Sequence, residues 1–405
     1  MTDQHRPPDL PILSGVPVFA AYVGTPIVQT ISGYFHHQPS PTGQTVLWLG
    51  LAIFAFMSCA LRGLRGRFAL GRSLLRTSPL LIAAVLIGRH GMPLLTPGLA
   101  LRVLELRPLA YLLFAALWAS TFGLPRRTHF QWFGALLGFF AVVNFAVGGP
   151  LSGLAHADLR TLQIPGDMEF TATLLLISLA ACLLPASRDG GGRFPASGNT
   201  SWKLWIALGL VATFSRSGLF TATWLTLLFA PFSWKKRLAA AAFFALALTA
   251  TFHIARPPMA VLEEMRRGLL GLAALHIFTT RPEALLTGFP LGAPLPAPPV
   301  VLQALGSRVQ AYGLLPQFIA PFWLRHVLSW GVGPLMAFLG TVGALSFRRR
   351  TRFAGGVVAT MLIQGLVCPL LNDGLLAVPI FLALILSLRE SRTEPNFTFE
   401  PAAGG

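Results

Sequence analysis

The feature that most constrains this chain is the recurrence of long apolar segments along its length. Segments of about 16 to 20 apolar residues recur at 45–61, 107–124, 129–148, 169–187 and 326–346, close to the length a helix needs to cross a bilayer. Of the 405 residues only 11% are charged, against roughly 25% in soluble domains. Because a single anchor would give one such segment, the pattern predicts an all-α, polytopic integral membrane protein.

About 12 transmembrane helices account for the apolar pattern, in a single transmembrane domain over 1–405. Segments 77–88 and 202–214 are shorter than a full span, so ten or eleven crossings are the alternatives. Removing only one of the two would reverse the predicted membrane orientation of every later segment, so we count both or neither. The predicted crossings lie near 11–31, 45–61, 77–88, 107–124, 129–148, 169–187, 202–214, 217–232, 238–254, 326–346, 353–371 and 375–388.

The distribution of basic residues predicts the orientation. With the N-terminus in the cytoplasm, about twenty of the 31 Lys and Arg residues fall in cytoplasmic segments. Both termini are then cytoplasmic, and the arginine-rich, lysine-poor, alanine-rich composition suggests a GC-rich bacterial genome. The stretch 255–323 contains many prolines yet remains apolar, which predicts a large extracytoplasmic loop that caps a cavity at the membrane surface.

Charge and cysteine usage exclude several classes of function. The net charge of +17 comes from short basic clusters between apolar segments, which suits anionic membrane lipids and not nucleic acid. No acid lies in the middle of a predicted span, since Glu169 and Asp373 stand near span ends. This disfavours a proton- or sodium-driven carrier. The three cysteines have no metal-ligand spacing, and we expect neither a metal site nor a cofactor.

Residues 213–218 (TFSRSG) lie at a predicted outer junction between two crossings. The Arg216 guanidinium can hold phosphate through paired hydrogen bonds. Ser215, Ser217 and the Gly218 backbone can add donors at this helix start. The alternative is a loop arginine that extends to lipid headgroups.

Further cations are predicted on the same outer face, at Arg256, Arg266, Arg267 and Arg281. Several cations around one cavity suit a pyrophosphate. The alternative is an amphipathic helix whose arginines contact lipid phosphate.

His326 stands at the outer start of a long apolar helix, where a neutral imidazole can act as a general base. A structural histidine at the membrane interface is the alternative. Asn372 and Asp373 mark another outer helix end, as caps or as cavity-lining groups.

Three motifs together resemble the O-antigen ligase and O-antigen polymerase superfamily, membrane glycosyltransferases that use undecaprenyl-pyrophosphate-linked glycans. The turn 215–218 is similar to that family's Ser-Arg-Ser/Gly element. The run 267–288 resembles its arginine, small-residue helix and Pro-Leu-Leu-Gly turn. Residues 330–335 (WGVGPL) resemble its Gly-x-x-Gly element after the large periplasmic loop. The resemblance covers about residues 200–388.

The resemblance implies a GT-C-like fold in the bacterial inner (cytoplasmic) membrane and an inverting, metal-independent glycosyltransferase. The donor is an undecaprenyl-pyrophosphate-linked glycan, and the acceptor is a lipid A core sugar for a ligase or another lipid-linked glycan for a polymerase. Arg216 and Arg267, or its neighbour Arg266, would hold the pyrophosphate, and His326 would deprotonate the acceptor hydroxyl. The family places its histidine further upstream of the first glycine, where this chain has Ala320.

Two functions of other classes remain open at this point. One is a protein that translocates lipid-linked polysaccharide, and the other is a non-catalytic assembly partner in an envelope polysaccharide complex.

Overall fold

The computed structural model describes residues 11–24, 41–61, 105–148, 168–183, 200–253, 258–289, 293–305, 313–319, 321–347 and 352–390. Within these residues the chain is all-α, as predicted, and the one β contact is an isolated antiparallel bridge between Leu295 and Leu314. The helices are α1 (Pro11–Phe19), α2 (Pro41–Leu61), α3 (Arg107–Phe122), α4 (Arg127–Gly148), α5 (Met168–Cys182), α6 (Thr200–Ala212), α7 (Arg216–Phe229), α8 (Trp234–His253), α9 (Pro258–Thr280), α10 (Ala284–Thr287), α11 (Pro299–Ala304), α12 (Phe322–Trp330), α13 (Val332–Phe347), α14 (Arg352–Gln364) and α15 (Gly374–Glu390).

The helices follow the apolar segments of the sequence closely, with three differences. The predicted crossing 353–371 forms α14 only as far as Gln364, and a short 3-10 helix follows at Leu370–Asn372. The segment 326–346 forms two helices, because Gly331 adopts a positive φ of 80° that ends α12 before α13 begins. The stretch 255–323 contains the 23-residue helix α9 as well as α10 and α11. The predicted crossing 77–88 lies outside the described residues.

Helix length and composition test the number of crossings only in part. Among the described residues, one helix stretch, Arg127–Ala146, is both long enough and apolar enough to cross a bilayer. Shorter apolar helices of 10–17 residues are Ile12–Gly24, Val46–Ser58, Met168–Cys182, Ser201–Ala212, Gly268–Thr280, Val332–Gly343 and Gly374–Ser387. The count of twelve crossings therefore stays a prediction.

Helices α5 and α15 form the centre of the bundle. Every α5 residue from 171 to 182 is buried, and so is every α15 residue from 375 to 387. A helix that is apolar on all sides has to be surrounded by other elements. Helices α4, α6, α7 and α14 all pack against α5, while α3, α13 and α14 pack against α15.

Small residues let neighbouring helices approach closely. Helices α4 and α6 meet at Gly138 and Gly209, where a Cβ on either glycine would overlap the backbone of the opposite helix. Helix α7 meets α5 in a similar way, because a Cβ on Gly218 would lie 2.7 Å from the Ala172 Cβ. Such small-residue crossings bring backbones together in helical membrane bundles. The second crossing fixes the start of α7 against α5.

The outer surface of the bundle is rich in large apolar side chains. On α8, Leu238, Phe243, Leu246 and Phe252 are between 45% and 72% exposed. An outer surface with this many exposed large apolar side chains suits contact with a partner or a membrane.

Candidate functional site

The turn between α6 and α7 is held in a conformation that places Arg216 at the first position of α7. Phe214 adopts a φ of 50°, a left-handed conformation that costs a bulky residue about 1–2 kcal/mol. Ser215 then caps α7, because its Oγ accepts a hydrogen bond from the Gly218 N–H at 2.9 Å. The sequence predicted a helix start here, and the structure confirms it.

Glu169, in the first turn of α5, anchors this turn. Both flanking serines donate to the same carboxylate oxygen: Ser215 Oγ lies 2.5 Å from Glu169 Oε2, and Ser217 Oγ also donates to it. Ser217 Oγ also lies 3.1 Å from Gln364 Oε1 on α14. Bonds to an ionised acceptor are roughly twice as strong as neutral ones. The serines predicted as phosphate donors therefore hold the turn to α5 and α14 in this structure.

Gln364 extends the network into the bundle. Its Nε2 donates to Thr221 Oγ1 at 3.0 Å, and its Oε1 lies 3.4 Å from Thr173 Oγ1. Gln364, Thr221 and Thr173 are fully buried. Because a buried amide is costly unless its groups are bonded, this network fixes α5, α7 and α14 relative to one another.

Arg216 also contacts an aromatic ring. Its guanidinium carbon lies 4.0 Å from the centre of the Phe252 ring on α8, within the range of an attractive cation–π interaction. Arg216 is partly exposed, and the first-turn N–H groups of α7 lie beside it. A partly exposed guanidinium at a helix N-terminus can bind an anion.

The other predicted phosphate ligands are described to different extents. The backbones of Arg266 and Arg267 belong to α9, but their side chains lie outside the described part of the structure, as does Arg256. Arg281 follows the end of α9 and is exposed, and its backbone N–H donates to the Ile277 carbonyl at 2.8 Å. Whether these arginines approach Arg216 therefore stays a prediction.

Two of the three family-like motifs contact each other directly. Gly288, at the end of α10, and Gly331, at the break before α13, both have positive φ. A Cβ on Gly288 would lie 2.7 Å from the Gly331 N, and the next N–H, that of Phe289, donates to the Leu328 carbonyl at 2.7 Å. Only glycine fits such a contact without strain. These two turns attach the segment after α9 to the break between α12 and α13.

His326 lies inside the protein in this conformation. Its ring is 0% exposed and packs between Phe322 and Trp330, at centroid distances of 4.1 and 4.3 Å. Nδ1 lies 2.9 Å from the Phe322 carbonyl oxygen, and Nε2 has no hydrogen-bond partner among the described residues, although the Glu105 backbone lies close to the ring. An acceptor hydroxyl would need access to Nε2, so the role of His326 as a base stays a prediction.

A buried ion pair adjoins His326. Arg325 donates to Glu105 through two bonds, from Nε to Oε2 at 2.9 Å and from Nη2 to Oε1 at 2.7 Å. The two side chains are only 7% and 3% exposed. This paired geometry is the strongest that arginine makes with a carboxylate, and it ties α12 to the residues just before α3. The sequence analysis did not identify Glu105.

Asn372 and Asp373 precede α15, where a helix end was predicted. Asp373 Oδ1 accepts from the Leu375 N–H at 2.8 Å and so acts as a cap. Burial raises the pKa of the Asp373 carboxyl above its usual value, and this cap bond and the charge of Arg107 act in the opposite direction. Asn372 is buried, and neither its amide nitrogen nor its carbonyl oxygen has a hydrogen-bond partner in the described chain.

No model of a known protein family matches the chain, and no curated protein matches it either. The function is therefore inferred from the geometry of the site.

Proposed function

We propose that this protein is a multi-pass membrane glycosyltransferase that moves a glycan from undecaprenyl pyrophosphate to an acceptor hydroxyl at the outer face of the inner membrane. The observation that carries the proposal is the turn at the start of α7. There Ser215 and Ser217 are held by Glu169, and Arg216 is left partly exposed beside the first-turn N–H groups. A fixed cation at a helix N-terminus suits a pyrophosphate.

We propose about twelve crossings, and two further observations support the membrane setting itself. Large apolar side chains cover the outside of α8, and glycine contacts bring α4 and α6 together as in helical membrane bundles. The groups that meet around Ser215, from α5, α7 and α14, are also ones that the predicted topology assigns to the outer side.

In the proposed reaction the acceptor oxygen attacks the anomeric carbon of the lipid-linked sugar from the side opposite the pyrophosphate. The new C–O bond forms as the bond to the pyrophosphate oxygen breaks, so the anomeric configuration inverts. The acceptor proton passes to a base, for which His326 is the candidate. Arg216 stabilises the negative charge that develops on the departing pyrophosphate, an electrostatic role that needs no metal.

The test is transfer by purified protein in the presence of a chelator, comparing wild type with Arg216→Ala and Arg216→Lys. Loss of one such charge-stabilising group typically costs about 10²–10³ in rate, and lysine restores only part because it cannot form the paired bonds. Lys235→Ala, at an exposed basic residue on the opposite predicted side, is the matched control. Unchanged transfer in Arg216→Ala would refute the proposal.

A second function, a non-catalytic assembly partner, is favoured by one observation, the complete burial of His326 between Phe322 and Trp330. Under this alternative wild-type protein transfers no glycan to any acceptor offered, although it still binds the lipid-linked donor.

A further inference from the structure

A groove of about 230 Å³ runs along the outside of the bundle between α7 and α14. Helix α7 contributes Phe220, Trp224 and Leu228, and α14 contributes Ala359 and Ile363. The groove is far larger than the ~30 Å³ that one water molecule occupies in the liquid. With its apolar lining, it is suited to a segment of hydrocarbon chain.

The groove begins one helical turn from Arg216. Residues 216, 220, 224 and 228 follow one another at intervals of four, so they lie along one stripe of α7. At 1.5 Å per residue this stripe is about 18 Å long. A molecule with a charged head and an apolar tail can therefore contact Arg216 and the groove at the same time.

The floor of the groove connects directly to the polar turn. Thr221 lines the groove, donates to the Ser217 carbonyl at 2.7 Å and accepts from Gln364 Nε2 at 3.0 Å. Its hydroxyl is therefore satisfied within the bundle, so Thr221 presents no unpaired polar group to the groove. The boundary between polar turn and apolar groove falls between Ser217 and Thr221.

We infer that this groove binds the first part of the polyprenyl chain of the lipid whose pyrophosphate lies at Arg216. The inference rests on the proposed function and adds a separate binding site for the lipid tail. The positive charge at Arg216 complements the anionic head, and none of the groove-lining residues is charged.

One wall of the groove is an aromatic pair. Phe220 and Trp224 pack edge to face at a centroid distance of 6.3 Å, one of the arrangements that aromatic rings prefer. The small side chain of Ala359 leaves the opposite wall recessed. A larger residue at 359 would fill the space that the chain occupies.

The probe is undecaprenyl pyrophosphate that carries a photoreactive group in the isoprene units next to the pyrophosphate. The full chain is placed in phosphatidylcholine nanodiscs, irradiated and digested, and labelled peptides are identified by mass spectrometry. We expect label on α7 and α14 around residues 220–228 and 359–363. Ala359→Phe should lower this labelling at least tenfold, and Ala242→Phe, on the exposed face of α8, should change it less than twofold.

The Trp224 side chain is 43% exposed, so Trp224→Ala serves as a second variant if Ala359→Phe does not fold. It should also reduce labelling. The inference is overturned if label spreads evenly over the exposed apolar surface, or if phosphatidylglycerol competes as well as undecaprenyl pyrophosphate. Glycan transfer is measured on the same preparations. Groove labelling without transfer contradicts the proposed function alone, whereas transfer without groove labelling contradicts this inference alone.

Discussion

Removing one partner of the Arg325–Glu105 pair should be among the most destabilising single changes in the described chain. The side chains form two short hydrogen bonds and are 7% and 3% exposed. Arg325→Leu leaves the Glu105 carboxylate buried without its partner, and Glu105→Leu does the same to the guanidinium. Breaking a buried pair in this way costs about 3–5 kcal/mol of unfolding free energy.

The double variant Glu105→Leu/Arg325→Leu should recover most of that loss. Replacing a buried ion pair by apolar residues of similar volume is often neutral or stabilising by about 1–4 kcal/mol, because no charge then has to be desolvated. The expected coupling energy between the two positions is therefore several kcal/mol, well above the ~0.5 kcal/mol within which independent sites add.

The assay is denaturant unfolding of the four proteins in one lipid nanodisc composition, with Lys235→Leu as an exposed control. The control should lie within about 0.5 kcal/mol of wild type. If the single variants unfold at the wild-type denaturant concentration, or if their effects simply add, then Arg325 and Glu105 do not form the buried pair. The account of how α12 is attached to the segment before α3 would be refuted.

Three further predictions concern individual residues. Gly331→Ala should lower the free energy of unfolding by roughly 1–3 kcal/mol, because of its positive φ and close backbone contact. In the same denaturant unfolding assay Gly340→Ala, with nothing within 4 Å of the added Cβ, should be neutral or slightly stabilising. Because the pKa of Asp373 is raised above 3.8 in the fold, its burial favours the protonated form, and its contribution to stability falls as pH rises from 3.8 through the folded-state pKa. Asp373→Asn keeps an acceptor for the cap, so it should be more stable than wild type at pH 7, with the difference shrinking toward about pH 4. Phe252→Leu removes the ring under Arg216 and should lower kcat/KM for glycan transfer by about 2- to 30-fold, whereas Phe243→Leu, on the same helix, should leave kcat/KM unchanged.

The apolar segments predicted the helices because burial and hydrogen bonding in an apolar setting both favour helix over such lengths. The predicted segments 107–124 and 129–148 became α3 and α4 almost unchanged. The break at Gly331 was missed because 326–346 is apolar throughout, although the glycine pair at 331 and 333 was recognised as a motif. The close contact of Gly331 with Gly288 could not be predicted in the same way, because the two glycines are about forty residues apart in the sequence.

The contacts around the candidate site were harder to predict than its location. The turn 215–218 was identified from its position between two apolar segments, and its serines were expected to face a phosphate. In the structure they bind Glu169, which the sequence analysis had noted only as an acid near a span end. Glu105 lies 220 residues from Arg325, and no local pattern indicates a pair over that distance.

The most direct test of the proposed function is to isolate the product of a reaction that contains only purified protein, chelator, undecaprenyl-pyrophosphate-linked glycan and an acceptor. The account predicts a new glycosidic bond whose anomeric configuration, determined by NMR, is inverted relative to the donor, and it predicts no such product with Arg216→Ala. A product with retained configuration, or equal product from wild type and Arg216→Ala, would contradict it.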